Sequence, residues 1–207
     1  MRVLLIEDNP GDASLVRTFL KRESRGGCQF EHQPTLQRGL ERLKRGGIDV
    51  ALIDLDLPDS RGAKTVETVR AEADGVPIVV LTGFDEEAAA IEAVRKGAQD
   101  YLVKGKTNAA LLVRTLQFAI ERAAHQAQRR EVADEATATA ERIATLTDRE
   151  REILDHIVAG RSLKEIANQF GTSYNTLKNQ RASIMEKMQV RSETDLVRLT
   201  LVCRFGR

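Results

Sequence analysis

The sequence predicts an α/β domain built on a five-stranded, doubly wound parallel sheet, followed by a long helix and an all-α domain of four short helices. Three observations predict this. Short continuous apolar runs alternate with helix-like segments through the first half, a stretch without Pro or Gly follows, and beyond Leu146 helix-capping signals become dense. At 207 residues the chain exceeds the usual single-domain size of about 100–150, so two cores are expected. The expected boundaries are 1 to 121 for the first domain, 122 to 145 for a helical linker and 146 to 207 for the second domain.

The strand-like runs are Val3-Leu4-Leu5-Ile6, Val50-Ala51-Leu52-Ile53, Ile78-Val79-Val80-Leu81 and Tyr101-Leu102-Val103, with a weaker one near Cys28 to His32. Strands that are apolar without alternation are buried on both faces, as they are when helices cover both sides of a parallel sheet. Helix-like segments do fall between them, around residues 12 to 23, 35 to 45, 62 to 72, 86 to 96 and from 108 onward. In such folds the C-terminal ends of the strands share one edge, and ligands bind there at the switch in strand order. The residues leaving the strands are Glu7 and Asp8, Asp54 and Asp56, Thr82, and Lys104. Carboxylates gathered at one edge repel one another unless a hard divalent cation or a lysine neutralises them, and an oxygen-rich, partly hydrated site suits Mg2+. Each of these residues alone would be an ordinary strand end or turn. Together they ask for a metal and an anion.

The segments IEDNPGD, LIDLDLPDSRG, VVLTGF and GAQDYLVKG resemble the receiver domain of two-component response regulators, a flavodoxin-like fold, over Met1 to about Glu121. The resemblance implies that Asp54 accepts a phosphoryl group from a sensor histidine kinase. It implies Mg2+ held by the side chains of Asp8 and Asp54, by Glu7 through water and by the backbone carbonyl of Asp56. Thr82 and Lys104 would contact the phosphoryl oxygens, with Thr82 and Tyr101 as switch residues. The chemistry agrees, because phosphoryl transfer to a carboxylate needs little beyond an in-line nucleophile, a cation and donors for the equatorial charge. Apart from this Mg-dependent self-phosphorylation and autodephosphorylation no enzymatic activity is expected. A flavodoxin-like enzyme is disfavoured by the lack of a Gly-rich phosphate loop and of any His among the strand ends, His32, His125 and His156 falling elsewhere. The family usually has Pro after the lysine; here Gly105 follows Lys104, so a freer loop is expected.

From Asn108 to about Ile143 there is no Pro or Gly, which allows a helix of up to about 50 Å at 1.5 Å per residue. Leu112, Leu116, Ala119, Ala123 and Gln126 follow a 4-3 spacing that continues through Arg130, Ala133, Thr137 and Ala140, apolar early and feeble later. Two readings fit: a seam supporting a homodimer on activation, or Leu112, Leu116 and Ile120 covering the receiver sheet with a solvated spacer beyond them.

In the last segment Thr147-Asp148-Arg149-Glu150 and Ser162-Leu163-Lys164-Glu165 read as capping boxes, Gly160 and Gly171 sit where helices stop, and Ser173 and Ser192 open two more. Helices over 163 to 169 and 174 to 188, joined by a turn containing Gly171, have helix-turn-helix proportions. On the second of them Leu177, Ile184 and Met188 share an apolar face, while Lys178, Asn179, Arg181 and Ala182 point elsewhere and Tyr174 stands at its start. A basic, amide-bearing side suits a helix that reads base edges and holds phosphates, although a solvated face would look similar. The run LTDREREILDHIVAGRSLKEIANQFGTSYNTLKNQRASIMEKM resembles the LuxR-type helix-turn-helix of the NarL/FixJ group. The resemblance implies double-stranded DNA as partner, with Lys178, Asn179 and Ala182 facing bases and Arg181 and Tyr174 near phosphates. Gln180 replaces a common His, and Asn179 and Ala182 stand where bulkier or charged residues are frequent, so an unusual base preference is expected.

Composition sets the remaining bounds. Hydrophobic residues at 42% and charged residues at 30% are ordinary, and no run approaches the roughly 20 apolar residues of a membrane helix, so no membrane partner is expected. The opening MRVLLIEDNP is too short for a signal peptide and reads as a first strand, which makes a cytoplasmic location the expectation. Cys28 and Cys203 lie at opposite ends without metal-ligand spacing. The net charge of +1 divides unevenly: residues 1 to 106 hold 16 Lys+Arg against 18 Asp+Glu, net −2, and residues 147 to 207 hold 11 against 8, net +3. The basic excess lies where a DNA footprint is expected. The expected function is a phosphorylation-controlled transcriptional regulator, and the alternative is an adaptor whose helical output domain binds protein.

Overall fold

The computed structural model describes residues 1–23, 27–73, 75–83 and 87–205; Phe84 of the VVLTGF segment lies outside them. The chain divides into two compact units, Met1–Ala127 and Gln128–Arg207.

The first unit holds the five-stranded parallel sheet expected from the apolar runs. Its strands are β1 (Arg2–Ile6), β2 (Gln29–Gln33), β3 (Val50–Asp54), β6 (Ile78–Thr82) and β7 (Asp100–Val103), ordered β2-β1-β3-β6-β7. In register, Ile6 lies opposite Ile53, Ile53 opposite Val80, and Val80 opposite Tyr101. Alternate residues of each strand enter opposite cores. Leu4, Ile6, Ile53 and Val80 pack with Leu40 of α2 (Leu36–Lys44), Val66 and Val69 of α3 (Ala63–Glu72) and Ala93 of α4 (Glu87–Arg95). Val3, Leu5, Leu52 and Val79 pack with Val16 and Leu20 of α1 (Pro10–Glu23) and with Leu112 and Leu116 of α5 (Ala109–Ala144). Both faces being covered, the strands carry no polar alternation, and each fully buried aliphatic side chain contributes about 1.5–3 kcal/mol. The edge strand β2 is only half-buried, which is why its signal is weak. A small antiparallel hairpin, β4 (Asp56–Leu57) with β5 (Ser60–Arg61), follows β3 and was not expected. Asp59 at its tip accepts the backbone N–H groups of Leu36 and Gln37 at 2.9 Å each, so the hairpin caps α2.

The structure places the residues of the 4-3 seam in two different surroundings. Leu112, Leu116 and Ala119 are no more than 1% exposed and belong to the core under the sheet, with Ile120 packed at its margin. Gln126, Arg130 and Ala133 are exposed. The apolar early part is therefore used within the unit itself, as in the reading that has these residues cover the receiver sheet.

In the second unit Ile143 near the end of α5 joins α6 (Asp148–Val158), α7 (Leu163–Phe170), α8 (Tyr174–Lys187) and α9 (Glu193–Phe205) around a core of Leu146, Ile153, Leu154, Ile166, Leu177, Ile184, Met188 and Leu196. Both capping boxes form: Glu150 accepts the Thr147 N–H at 2.8 Å and Glu165 accepts the Ser162 N–H at 2.8 Å, with the reciprocal bonds at 3.3 and 3.4 Å. Gly171 ends α7 at φ +61°, a left-handed conformation that favours glycine, and Ser173 then caps α8 by accepting the Thr176 N–H at 3.0 Å. Among the described residues no helix is long and apolar enough to cross a membrane.

Candidate functional site

The reversal of strand order between β1 and β3 sets the site. Glu7 and Asp8 leave β1, Asp54 ends β3, and carboxylate oxygens of all three lie within 4.8 Å of one another. Glu7 is fully buried and Asp54 is 4% exposed, whereas Asp8 is open to solvent. Lys104, one residue beyond β7, enters this cluster: Nζ donates to Asp54 Oδ2 at 2.8 Å and lies 2.7 Å from Glu7 Oε2. The second contact is an ion pair to an oxygen that is itself fully buried. Burial pushes the Glu7 carboxyl up to about 7, the hydrogen bond from Lys104 opposing this and the charge of Asp54 adding to it. Burial would lower the pKa of Lys104, but hydrogen bonds to Asp54, Glu7 and Asp12 more than offset it and hold the ammonium charged. Three clustered carboxylates, with carboxylate oxygens within 4.8 Å of one another, form an all-oxygen donor set that fits a hard divalent cation.

The other sequence-derived residues fall around this centre. The Asp56 N–H donates to Asp54 Oδ1 at 3.3 Å, while the Asp56 side chain turns outward to an exposed ion pair with Arg61 at 2.8 Å, so any part it plays at the centre belongs to its backbone. Thr82 ends β6, is fully buried, and its carbonyl accepts the Lys104 N–H at 2.8 Å. Tyr101 is half-buried on β7 against the core under α2, α3 and α4. Gly105 has φ +78° with open space around it, a conformation Pro cannot adopt. Sequence reasoning set His32 apart from the site. In the structure its Nε2–H donates to the Glu7 carbonyl at 2.7 Å, which the parallel pairing of β2 with β1 makes possible.

In the second unit Leu177, Ile184 and Met188 bury one face of α8. Tyr174, Lys178, Asn179 and Ala182 are exposed. Arg181 is less free than expected, since its side chain is 31% exposed and its guanidinium is paired with Glu193 of α9 at 3.1 Å. Sequence reasoning saw Glu150 only as a capping residue. Its carboxylate also accepts from Ser183 at 2.9 Å and from Lys187 at 2.7 and 2.8 Å, tying the first turn of α6 to α8. The Lys187 ammonium, then the Thr147 N–H, hold this carboxyl down at about 2.

A doubly wound sheet with an acid cluster and a lysine at its switch point, followed by a separate helix-turn-helix unit, defines a signal-receiving regulatory protein. Comparison with known proteins gives the same result. Residues 3–116 match the response regulator receiver domain, and residues 144–200 match the bacterial regulatory proteins of the luxR family. The transcriptional regulatory protein FixJ of Bradyrhizobium diazoefficiens is 33% identical over 199 residues, spanning 96% of this chain and 94% of that one. The crystal structure of full-length FixJ from B. japonicum superposes with a TM-score of 0.61 at 28% identity over 98% of this chain and 97% of that one. A structure of the response regulator StyR gives 0.63 at 25% identity over 96% and 97%. The chain belongs to the response regulator family, with a receiver domain and a LuxR-type DNA-binding domain, and it is a regulator of transcription.

Proposed function

We propose that Asp54 is the phosphoacceptor, that a sensor histidine kinase is its donor, and that phosphorylation controls binding of α8 to double-stranded DNA. The observation that carries this is the placement of a nearly buried Asp54 carboxylate 2.8 Å from the Lys104 ammonium, beside Glu7 and Asp8. In the reaction an Asp54 oxygen attacks the donor's phosphorus, and the donor's bond to phosphorus breaks with its electron pair leaving on the donor. Lys104, already at Asp54 Oδ2, meets the charge on the transferred oxygens, and the Thr82 hydroxyl supplies a second donor. Glu7, Asp8, Asp54 and the Asp56 carbonyl are the residues that would hold Mg2+, which when bound supplies neutralisation of the phosphoryl charge. The product carries about −1.5 to −2 charges at the sheet edge, and Thr82 and Tyr101 are the groups that repack in response. At the output, Lys178, Asn179 and Ala182 face bases while Tyr174 and Arg181 lie by phosphates. The test is incubation of the full chain with acetyl phosphate and magnesium chloride, mass mapping of the phosphoryl group, and salt-dependent duplex binding before and after. Label on Asp54 that is lost in Asp54→Asn, with altered DNA affinity, is expected. Label that survives Asp54→Asn refutes the assignment.

A further inference from the structure

The Lys104 ammonium has more carboxylate around it than one positive charge can balance. Besides Glu7 and Asp54, Asp12 in the first turn of α1 brings Oδ2 to 3.0 Å of Nζ. Asp12 is held in place by Asn9, whose Oδ1 accepts the N–H groups of Gly11 at 2.8 Å and Asp12 at 3.3 Å. The three acids whose oxygens lie within 4.8 Å of one another are Glu7, Asp8 and Asp54, without Asp12. With Lys104 it lines both the acidic cleft and a neighbouring apolar cavity walled by Leu15, Val16, Phe19 and Leu112.

We propose that Asp12 is a positioning residue that competes with the phosphoryl group for the Lys104 ammonium and so sets how readily the receiver accepts a phosphodonor. The proposal rests on the reading of Asp54 as phosphoacceptor. An incoming phosphoryl group carries negative charge toward Nζ, where Asp12 already supplies a negative charge at contact distance. Asp12 is about one-third exposed, so its repulsion is partly screened but not abolished. Neutralising it leaves Lys104 with its charge and with the Asp54 partner the reaction uses.

The test measures labelling of Asp54 by intact mass in the full chain, over a range of acetyl phosphate at saturating magnesium chloride, with binding of beryllium trifluoride as a readout free of chemistry. Asp12→Asn is expected to lower the KM for acetyl phosphate and to tighten beryllium trifluoride binding, each by about 3- to 10-fold, with the maximal rate little changed. Asp12→Glu should return toward wild type, and in a Lys104→Ala background the Asp12→Asn gain should vanish. A wild-type KM and wild-type anion affinity in Asp12→Asn overturn the proposal alone, as does an equal gain without Lys104. Absence of label on Asp54 in the wild-type chain overturns the phosphoacceptor reading and this one with it. A gain in affinity cannot come from a misfolded variant.

Discussion

Glu150 offers a quantitative test of how the DNA-binding unit is held together. It is 7% exposed and joins the α6 cap to α8 through Thr147, Ser183 and Lys187. A carboxyl held at about 2 against its ordinary 4.5 corresponds to an upper value of about 3 kcal/mol at about 1.36 kcal/mol per pH unit. Lys187 is 36% exposed, so solvent screening brings this to about 1–2 kcal/mol. The folded carboxyl lies below its unfolded value, so the stabilisation is complete above pH 4.5 and is lost as pH falls toward 2. Glu150→Gln keeps the shape and removes the charge. Pulsed hydrogen exchange along a urea titration, read by mass spectrometry, reports peptides of α6 and α8 separately from the receiver strands. At pH 7 the variant should lose about 1–2 kcal/mol in the second unit alone, and its difference from wild type should shrink between pH 4.5 and 2. Equal stability at pH 7, or a difference independent of pH, would refute the reasoning.

Four further outcomes follow from the geometry. Leu116→Asp puts a charge into a fully buried core position and should unfold the first unit or cost it more than about 3 kcal/mol, seen as lost far-ultraviolet ellipticity and not as a change of oligomer alone. Gly105→Pro cannot keep φ +78°; it should displace Lys104 and slow labelling of Asp54 by acetyl phosphate while the second unit melts as before. Lys178→Ala should cost about 1–3 kcal/mol at a preferred duplex and little elsewhere. Arg181→Ala should weaken all duplexes alike and lower the salt slope by about 1. Fluorescence anisotropy at several salt concentrations separates these last two.

The sheet and the helices were legible because burial on both faces leaves continuous apolar runs, and because the caps at Thr147, Ser162 and Ser173 are local chemistry. The residues of the acid cluster were legible for a topological reason, since strand ends of a parallel sheet must share an edge. What escaped depends on contacts between distant segments. The strands of the β4–β5 hairpin are two residues each, too short to show a period. The proximity of Asp12 to Lys104, of His32 to Glu7 and of Glu193 to Arg181 leaves no mark in spacing. The 4-3 pattern at Leu112 and Leu116 was ambiguous because a helix covering a sheet and a helix in a coiled coil show the same apolar interval.

The placement of the aromatic residues has a practical consequence. The chain has no tryptophan and two tyrosines, one in each unit: Tyr101 half-buried on β7, and Tyr174 exposed at the start of α8. Each unit thus carries its own phenol chromophore, one on the receiver sheet and one on the helix proposed to meet DNA. In a Tyr174→Phe chain the ultraviolet tyrosine signal comes from Tyr101 alone and follows events at the receiver. In a Tyr101→Phe chain it comes from the DNA helix, so the two halves of the signalling event can be timed in unlabelled protein.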